Sequence, residues 1–204
     1  MDDKVTIITP TWLREANIIH RCMKCVDAQT HENWEHIVCS DGSKETSVEH
    51  LIASNRNEKR RYACLDSHYG DYANVVRHTM LQQAEGKYVM FLDDDNIILP
   101  NYLEKMIAVL EDAYIKDKRI GFAICKIFHF GPLPEHLGIP PKILDGIPPS
   151  VQNIDTLQVL AFTEAMKNIG WNLEAGYLAD GYTFEEMAVK YDWTTLPEVL
   201  GIHL

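Results

Sequence analysis

The chain is expected to fold as an α/β protein, with a mostly parallel central sheet flanked by helices. Three observations carry that expectation. Apolar, β-branched runs of strand length alternate with amphipathic stretches of helical periodicity from Val5 to Phe128. One run, Tyr88 to Leu92, contains no charge and reads as a strand buried on both faces. Turn chemistry, as in Pro10 and Ser40-Asp41-Gly42-Ser43, closes the early runs. Such alternation covers a parallel sheet with helices.

Taken in order, Val5 to Thr9 is a first strand closed by Pro10, and Arg14 to Ala28 is a helix with Ile18, Ile19, Cys22 and Val26 at helical spacing. Trp34 to Cys39 is a second strand, Thr46 to Asn55 a short helix and Arg61 to Leu65 a third strand. Asp71 to Gln83 is the next helix, with Gly86 as its C-terminal stop. After the strand at Tyr88, Asn101 to Ala113 reads as a helix and Gly121 to Phe128 as a strand. Residues 131–153 hold six of the nine prolines, with Gly131, Gly138 and Gly146 among them. A loop of that length suits a lid or an acceptor wall. Helical patterning resumes over Thr156 to Asn168 and Tyr182 to Tyr191, before a short strand at Glu198 to Ile202. At 204 residues the chain is expected to be one domain.

Composition narrows the function. A net charge of −11, with no basic block longer than Lys59-Arg60-Arg61, excludes a general nucleic-acid or anionic-membrane binder. No segment approaches the length of a transmembrane span, and the start lacks the pattern of a signal peptide. Five cysteines, mostly in apolar runs, fit reduced thiols in the cytoplasm. Cys22-Met23-Lys24-Cys25 has redox or zinc spacing but no second pair, so it reads as two small buried residues.

The chemistry concentrates at Asp93-Asp94-Asp95, at the carboxyl end of the charge-free strand, the edge where open α/β sheets bind ligands. Adjacent carboxylates repel one another, so a counter-cation is expected, and oxygen-only ligands favour Mg²⁺ or Mn²⁺. The alternative is a solvated acidic turn leading to a helix capped by Asn96 or Asn101. Thr9-Pro10-Thr11 and Asp41 end the first and second strands, so a parallel sheet would bring them to the same edge.

Thr6 to Arg14, the Asp-Gly-Ser turn, Ala84-Glu85-Gly86-Lys87-Tyr88 and Leu92 to Asn96 with Pro100 together resemble a family 2 glycosyltransferase. The resemblance runs over about residues 4–110 and more weakly over 171–203. It implies a GT-A (nucleotide-diphospho-sugar transferase) fold, with residues 1–115 as the nucleotide-sugar and metal half and 116–204 as the acceptor half. It also implies inverting transfer from a nucleoside-diphosphate sugar, a UDP-sugar in the usual case, to a sugar, lipid or protein acceptor, with Mn²⁺ or Mg²⁺ as cofactor. By the same resemblance Thr9, Pro10, Thr11 and Arg14 line the base pocket, with Glu15 nearby, and Asp41 accepts from the base. Arg77 approaches the diphosphate or holds the aspartates. Asp95 ligates the metal, Asp93 or Asp94 reaches the ribose or a metal-bound water, and Asp93 and His203 complete the metal set. Asp180, in Ala179-Asp180-Gly181, is the candidate base, with Glu174 as fallback. Plainer readings stand beside these: Asp41 as a turn residue, Arg77 as a helix-surface cation, Asp180 as a helix cap and His203 as an exposed terminal residue.

A sugar nucleotidyltransferase would need a glycine-rich phosphate loop after the first strand, and Pro10 to Arg14 contains no glycine. A non-catalytic nucleotide-sugar-binding protein is the remaining alternative.

Overall fold

β1 (Val5–Thr11) lies inside the sheet with all seven residues buried, because the parallel strands β2 (Trp34–Ser40) and β4 (Tyr88–Phe91) flank it. The computed structural model describes residues 3–42, 44, 46–55, 57–130 and 142–204. β3 (Arg60–Cys64) continues the parallel half beyond β2. The sheet then changes character. β8 (Val159–Phe162) runs antiparallel between β4 and β6 (Ile120–His129), and β9 (Asp192–His203) pairs parallel with β6. Two short antiparallel strands finish it: β5 (Ile97–Ile98) on β9 and β7 (Lys142–Leu144) on β6.

Helices cover both faces, as α/β layering requires. α1 (Ala16–Asp27) buries Ile19, Cys22, Met23 and Val26, an i, i+3, i+4, i+7 stripe. Cys22 and Val26 join Val5 and Ile7 in one core, together with Leu103, Met106 and Leu110 of α4 (Tyr102–Lys116). On the opposite face Ile8 packs with Val76 and Met80 of α3 (Asn74–Gln82), Met166 of α5 (Thr163–Ile169) and Phe184 of α6 (Ala179–Lys190). α2 (Thr46–Ser54) rests on α1 through Val48 and Ile52.

Three expectations are corrected. Thr156 to Asn168 is not one helix: Asp155 caps a single 3₁₀ turn at Thr156–Gln158, then β8 intervenes and α5 starts only at Thr163. Val159-Leu160-Ala161-Phe162 is a short, wholly apolar run that suits a central strand and that periodicity alone does not distinguish from a helix. The closing strand is twelve residues long, because β9 pairs along nearly all of β6. Gly86 is not a helix stop, since α3 ends at Gln82. It is small because a Cβ there would stand 2.7 Å from Lys4 O and Thr6 N of the adjoining β1 backbone.

All five cysteines are free, and Cys22 and Cys25 sit along α1 with Cys25 Sγ donating to Cys22 O, as two small helix residues would. No described helix is long and apolar enough to cross a membrane. Of the proline-rich segment, residues 131–141 lie outside the described residues, so the lid expectation falls largely there.

Candidate functional site

The parallel registers place Thr11 opposite Ser40 and Ile8 opposite Phe91, so the carboxyl ends of β1, β2 and β4 share one edge. A cleft of about 1260 Å³ opens there, lined by Pro10, Thr11, Arg14, Asp41, Arg77, Asp93, Asp94, Asp95, Asp180 and His203, together with His129, Asp155, Tyr72 and Tyr177. Nearly every residue singled out in the sequence therefore meets in one place.

Thr9, Glu15 and Glu174 do not line it. Thr9 lies deepest. It is fully buried beneath the cleft, with its hydroxyl 2.8 Å from His36 Nε2. Arg60 Nε donates to His36 Nδ1 at 2.9 Å, so the Nε2–H of His36 donates to Thr9. Thr9 thus anchors β1 to β2, and its place in the base pocket is corrected to a core position.

Asp41 is more than a turn residue. Its buried carboxylate accepts from Tyr69 N at 3.0 Å and Gly70 N at 2.9 Å, and His68 Nδ1 lies 2.9 Å from Oδ2. Gly42 has φ +73, and a Cβ there would overlap the Ser67 and His68 backbone at 2.0 Å, which is why the turn after Asp41 takes glycine. The loop so fixed stacks His68 on Trp12, with ring centroids 4.3 Å apart.

The triplet is neither a solvated turn nor a bare cluster. Asp94 is 4% exposed, and helix α4 begins with Asn101 in the cap position but without a side-chain cap bond, while Asn96 is buried and accepts from Leu204 N. Two of the triplet's counter-charges come from the protein itself. Arg77 pairs with Asp93, and Arg14 bridges Asp94 (Nε to Oδ1, 2.9 Å) and Asp95 (Nη2 to Oδ2, 2.7 Å). Arg14 therefore faces the aspartates as well as the cleft, and Arg77 is buried rather than on the helix surface. Burial raises the Asp94 carboxyl to about 6, against the opposing pull of Arg14.

Across the cleft, Asp180 lies in the first turn of α6. The cap position belongs to Leu178, so the helix-cap reading is corrected. Asp180 Oδ1 accepts from Gly181 N at 2.7 Å. Desolvation, reinforced by the Asp155 charge, lifts its pKa to about 7 although the carboxyl lies at a helix N-terminus, where the dipole favours the ionised form. Glu174, the fallback, is exposed and lies outside the residues lining the cleft, as does Glu15.

His203 is not a loose terminus. It closes β9, stacks on His129 at 4.2 Å and pairs through Nδ1 with Asp155 Oδ2 at 2.8 Å. Burial would lower its pKa, but Asp155 outweighs burial and, with Asp93 and Asp95, raises it to about 9. Asp155 is doubly fixed, since its Oδ1 accepts from Leu157 N in a capping box with Gln158. Among the described residues, His129, Asp155 and His203 form a group whose ligand atoms lie within 4.8 Å of one another.

Sequence reasoning gave no role to Asp155, His129, Asn74, Tyr72 or Tyr177, although the last three lie in segments beside the predicted Arg77 and Asp180. Asp155-Thr156-Leu157-Gln158 does carry the capping-box pattern, a signal that could have marked Asp155 as ordered. Nothing local marks His129, whose role depends on its register opposite His203.

The Glycosyl transferase family 2 model matches residues 6–126. An Escherichia coli protein, UDP-Glc:alpha-D-GlcNAc-diphosphoundecaprenol beta-1,3-glucosyltransferase WfgD, is 33% identical over 54% of this chain, which spans 42% of that relative. Glycosyltransferase GlyA of Streptococcus pneumoniae is 31% identical over 52% of the chain and 15% of its own length. The chain thus spans less than half of these curated relatives. In structure, Staphylococcus aureus TarS 1–349 in complex with UDP-GlcNAc superposes with a TM-score of 0.75 at 17% identity, over 98% of this chain and 58% of that one. A mannosyltransferase from Pyrobaculum calidifontis, solved with GDP-Man and Mn²⁺, gives 0.71 at 16% identity, over 98% and 56%. These likenesses show the fold, which is that of GT-A glycosyltransferases.

Proposed function

We propose, for a chain that belongs to glycosyl transferase family 2, that this cleft performs inverting transfer of a sugar from a UDP-sugar to an acceptor hydroxyl, with Asp180 as general base. The observation that carries the reading is Asp180 itself. It is a carboxylate on the acceptor side of the cleft, within the electrostatic reach of Arg77 and Asp93, and its pKa of about 7 matches a base working near neutral pH. The chain is read as one GT-A unit, with residues 1–115 receiving the donor and 116–204 the acceptor.

Pro10, Thr11 and Asp41 stand where the donor base would enter. Asp93 and Asp95 offer hard oxygens to a divalent cation, and His203, which Asp155 holds protonated, would join them only after losing that proton. Those three residues would hold Mn²⁺ or Mg²⁺, which when bound offsets charge on the leaving diphosphate. Arg14 and Arg77 offset the aspartate charges and would leave positive charge beside the donor's diphosphate. Asp180 then takes the acceptor proton on the side opposite the donor's leaving group. The UDP-GlcNAc and Mn²⁺ complexes of the structural neighbours support this donor and cofactor, and the free cysteines support a cytoplasmic location.

Calorimetry with UDP tests the donor half: binding should require Mn²⁺ and vanish in Asp95→Asn. Equal affinity in EDTA would sink it. Proton NMR tests the stereochemistry, since slow hydrolysis of α-linked UDP-glucose should first release β-glucose. Release of the α-anomer would overturn the inverting reading.

A further inference from the structure

We propose that Tyr72 and Tyr177 form an acceptor platform, and that the acceptor is a glycan whose ring lies against these two aromatic side chains with a hydroxyl directed at Asp180. This rests on the reading of Asp180 as the base. Both tyrosines line the cleft, yet they are 64% and 68% exposed. Their rings meet edge to face, with centroids 5.6 Å apart and an interplanar angle of 69°. Large aromatic surface facing water in a ligand cleft marks a place where an apolar face is received.

The pair is held by a costly arrangement. Tyr72 and Ala73 both adopt left-handed backbone conformations, with φ +60 and +64, although neither is glycine. Such conformations persist where the surroundings impose them, and they cluster at functional sites. Here the surroundings are explicit. Arg77, while paired with Asp93, donates through Nη1 to Tyr72 O at 2.7 Å. Asn74, 1% exposed, donates to Gly176 O at 2.9 Å and accepts from Trp171 Nε1 at 2.9 Å. One buried amide therefore ties the segment bearing Tyr72 to the segment bearing Tyr177. The same contacts tie both to the aspartates.

Position sets the ligand class. Tyr177 stands three residues before Asp180, and both line the same cleft. A pyranose offers an apolar C–H face for the rings and hydroxyls at its edge for a carboxylate. A polyprenyl chain offers no hydroxyl for a base to deprotonate, whereas the wall around the tyrosines mixes apolar Ile154, Trp171 and Leu178 with the carboxylates Asp93, Asp155 and Asp180, as a ring with an apolar face and a hydroxyl edge requires.

Saturation-transfer NMR on the full chain, with UDP and Mn²⁺ present, tests the proposal using methyl β-glucoside, methyl α-mannoside and N,N′-diacetylchitobiose as probes. At least one probe should receive saturation on its ring C–H protons. Tyr177→Ala and Tyr72→Ala should each weaken that binding roughly tenfold, while Tyr177→Phe retains it. Melting temperatures of the variants confirm folding, and Tyr177→Ala suffices alone if Tyr72→Ala does not fold. Undiminished saturation in the alanine variants, or silence from all three saccharides, overturns the platform. UDP calorimetry on the same samples separates the two ideas. Intact Mn²⁺-dependent UDP binding with silent saccharides removes the platform only, whereas loss of UDP binding in the unaltered protein removes the donor reading beneath it.

Discussion

Replacing Asp180 with asparagine should stabilise the protein near neutral pH while removing most of its transfer activity. The folded carboxyl titrates at about 7 against a reference of 3.8. At about 1.4 kcal/mol per unit, the roughly three-unit rise corresponds to a ceiling on the order of 4 kcal/mol. The sign follows from proton counting. Between 3.8 and about 7 the folded protein keeps a proton that the unfolded chain has released, so stability falls as pH rises through that window. The full penalty stands above it. Asparagine keeps the acceptor for Gly181 N but never ionises. The variant should therefore match the parent near pH 4 and gain steadily towards pH 8, where each kcal/mol is worth about 2–4 °C in melting temperature for a chain of this size. Thermal unfolding across that range, without divalent cation, is the assay. Transfer should fall by roughly 10²–10⁴-fold, the usual contribution of a positioned base. A stability difference that stays constant with pH, or a uniform loss of about 1 kcal/mol such as a lost helix cap gives, would refute the reasoning.

Arg77→Met should cost about 3 kcal/mol in urea unfolding, because a nearly buried guanidinium is lost and Asp93 keeps its charge without a partner; an effect under about 0.5 kcal/mol would show that the pair is incidental. Asp155→Asn should drop the His203 pKa from about 9 towards its usual 6.5, read from the imidazole C–H shift by NMR. The His203 contribution to stability is present below 6.5 and lost as pH rises through about 9, so the variant should be weakened near pH 6 and level with the parent near pH 10. An unmoved His203 titration would mean that Asp155 acts only as a cap.

The parallel half of the fold was legible because its signals are local. Strand-length apolar runs, an amphipathic stripe and a turn residue each lie within a few positions, and β1, β2 and β4 appear where Val5, Trp34 and Tyr88 begin them. Of the second half, β6 and the end of β9 were legible as Gly121 to Phe128 and Glu198 to Ile202, but β8 was not, because Val159 to Phe162 is too short and too uniformly apolar to declare a period, and its identity is decided by the gap it fills between β4 and β6. The same division runs through the site. Asp93 to Asp95 and Asp41 are visible at strand ends, while His129 faces His203 only through the β6–β9 register, which is set across more than seventy residues of chain.

Charge was the property least readable in advance. An acidic chain with three consecutive aspartates suggests an external cation, yet Arg14 and Arg77 already stand against those aspartates. Three carboxylates beside two guanidinium groups leave a local excess of one negative charge when all are ionised. Burial raises the Asp94 carboxyl to about 6, which eases that excess further. Such a site tolerates its own folded state without a metal, as an edge built from ordinary packing must. A cation recruited to Asp95 would compete with Arg14 Nη2 for the same Oδ2, and the displaced guanidinium would face the cleft, on the side proposed for the donor's diphosphate. On this view the arginine stabilises the empty cleft and the filled one by turns. Its position directly after the first strand then follows from electrostatics, whatever part it takes in recognising the base.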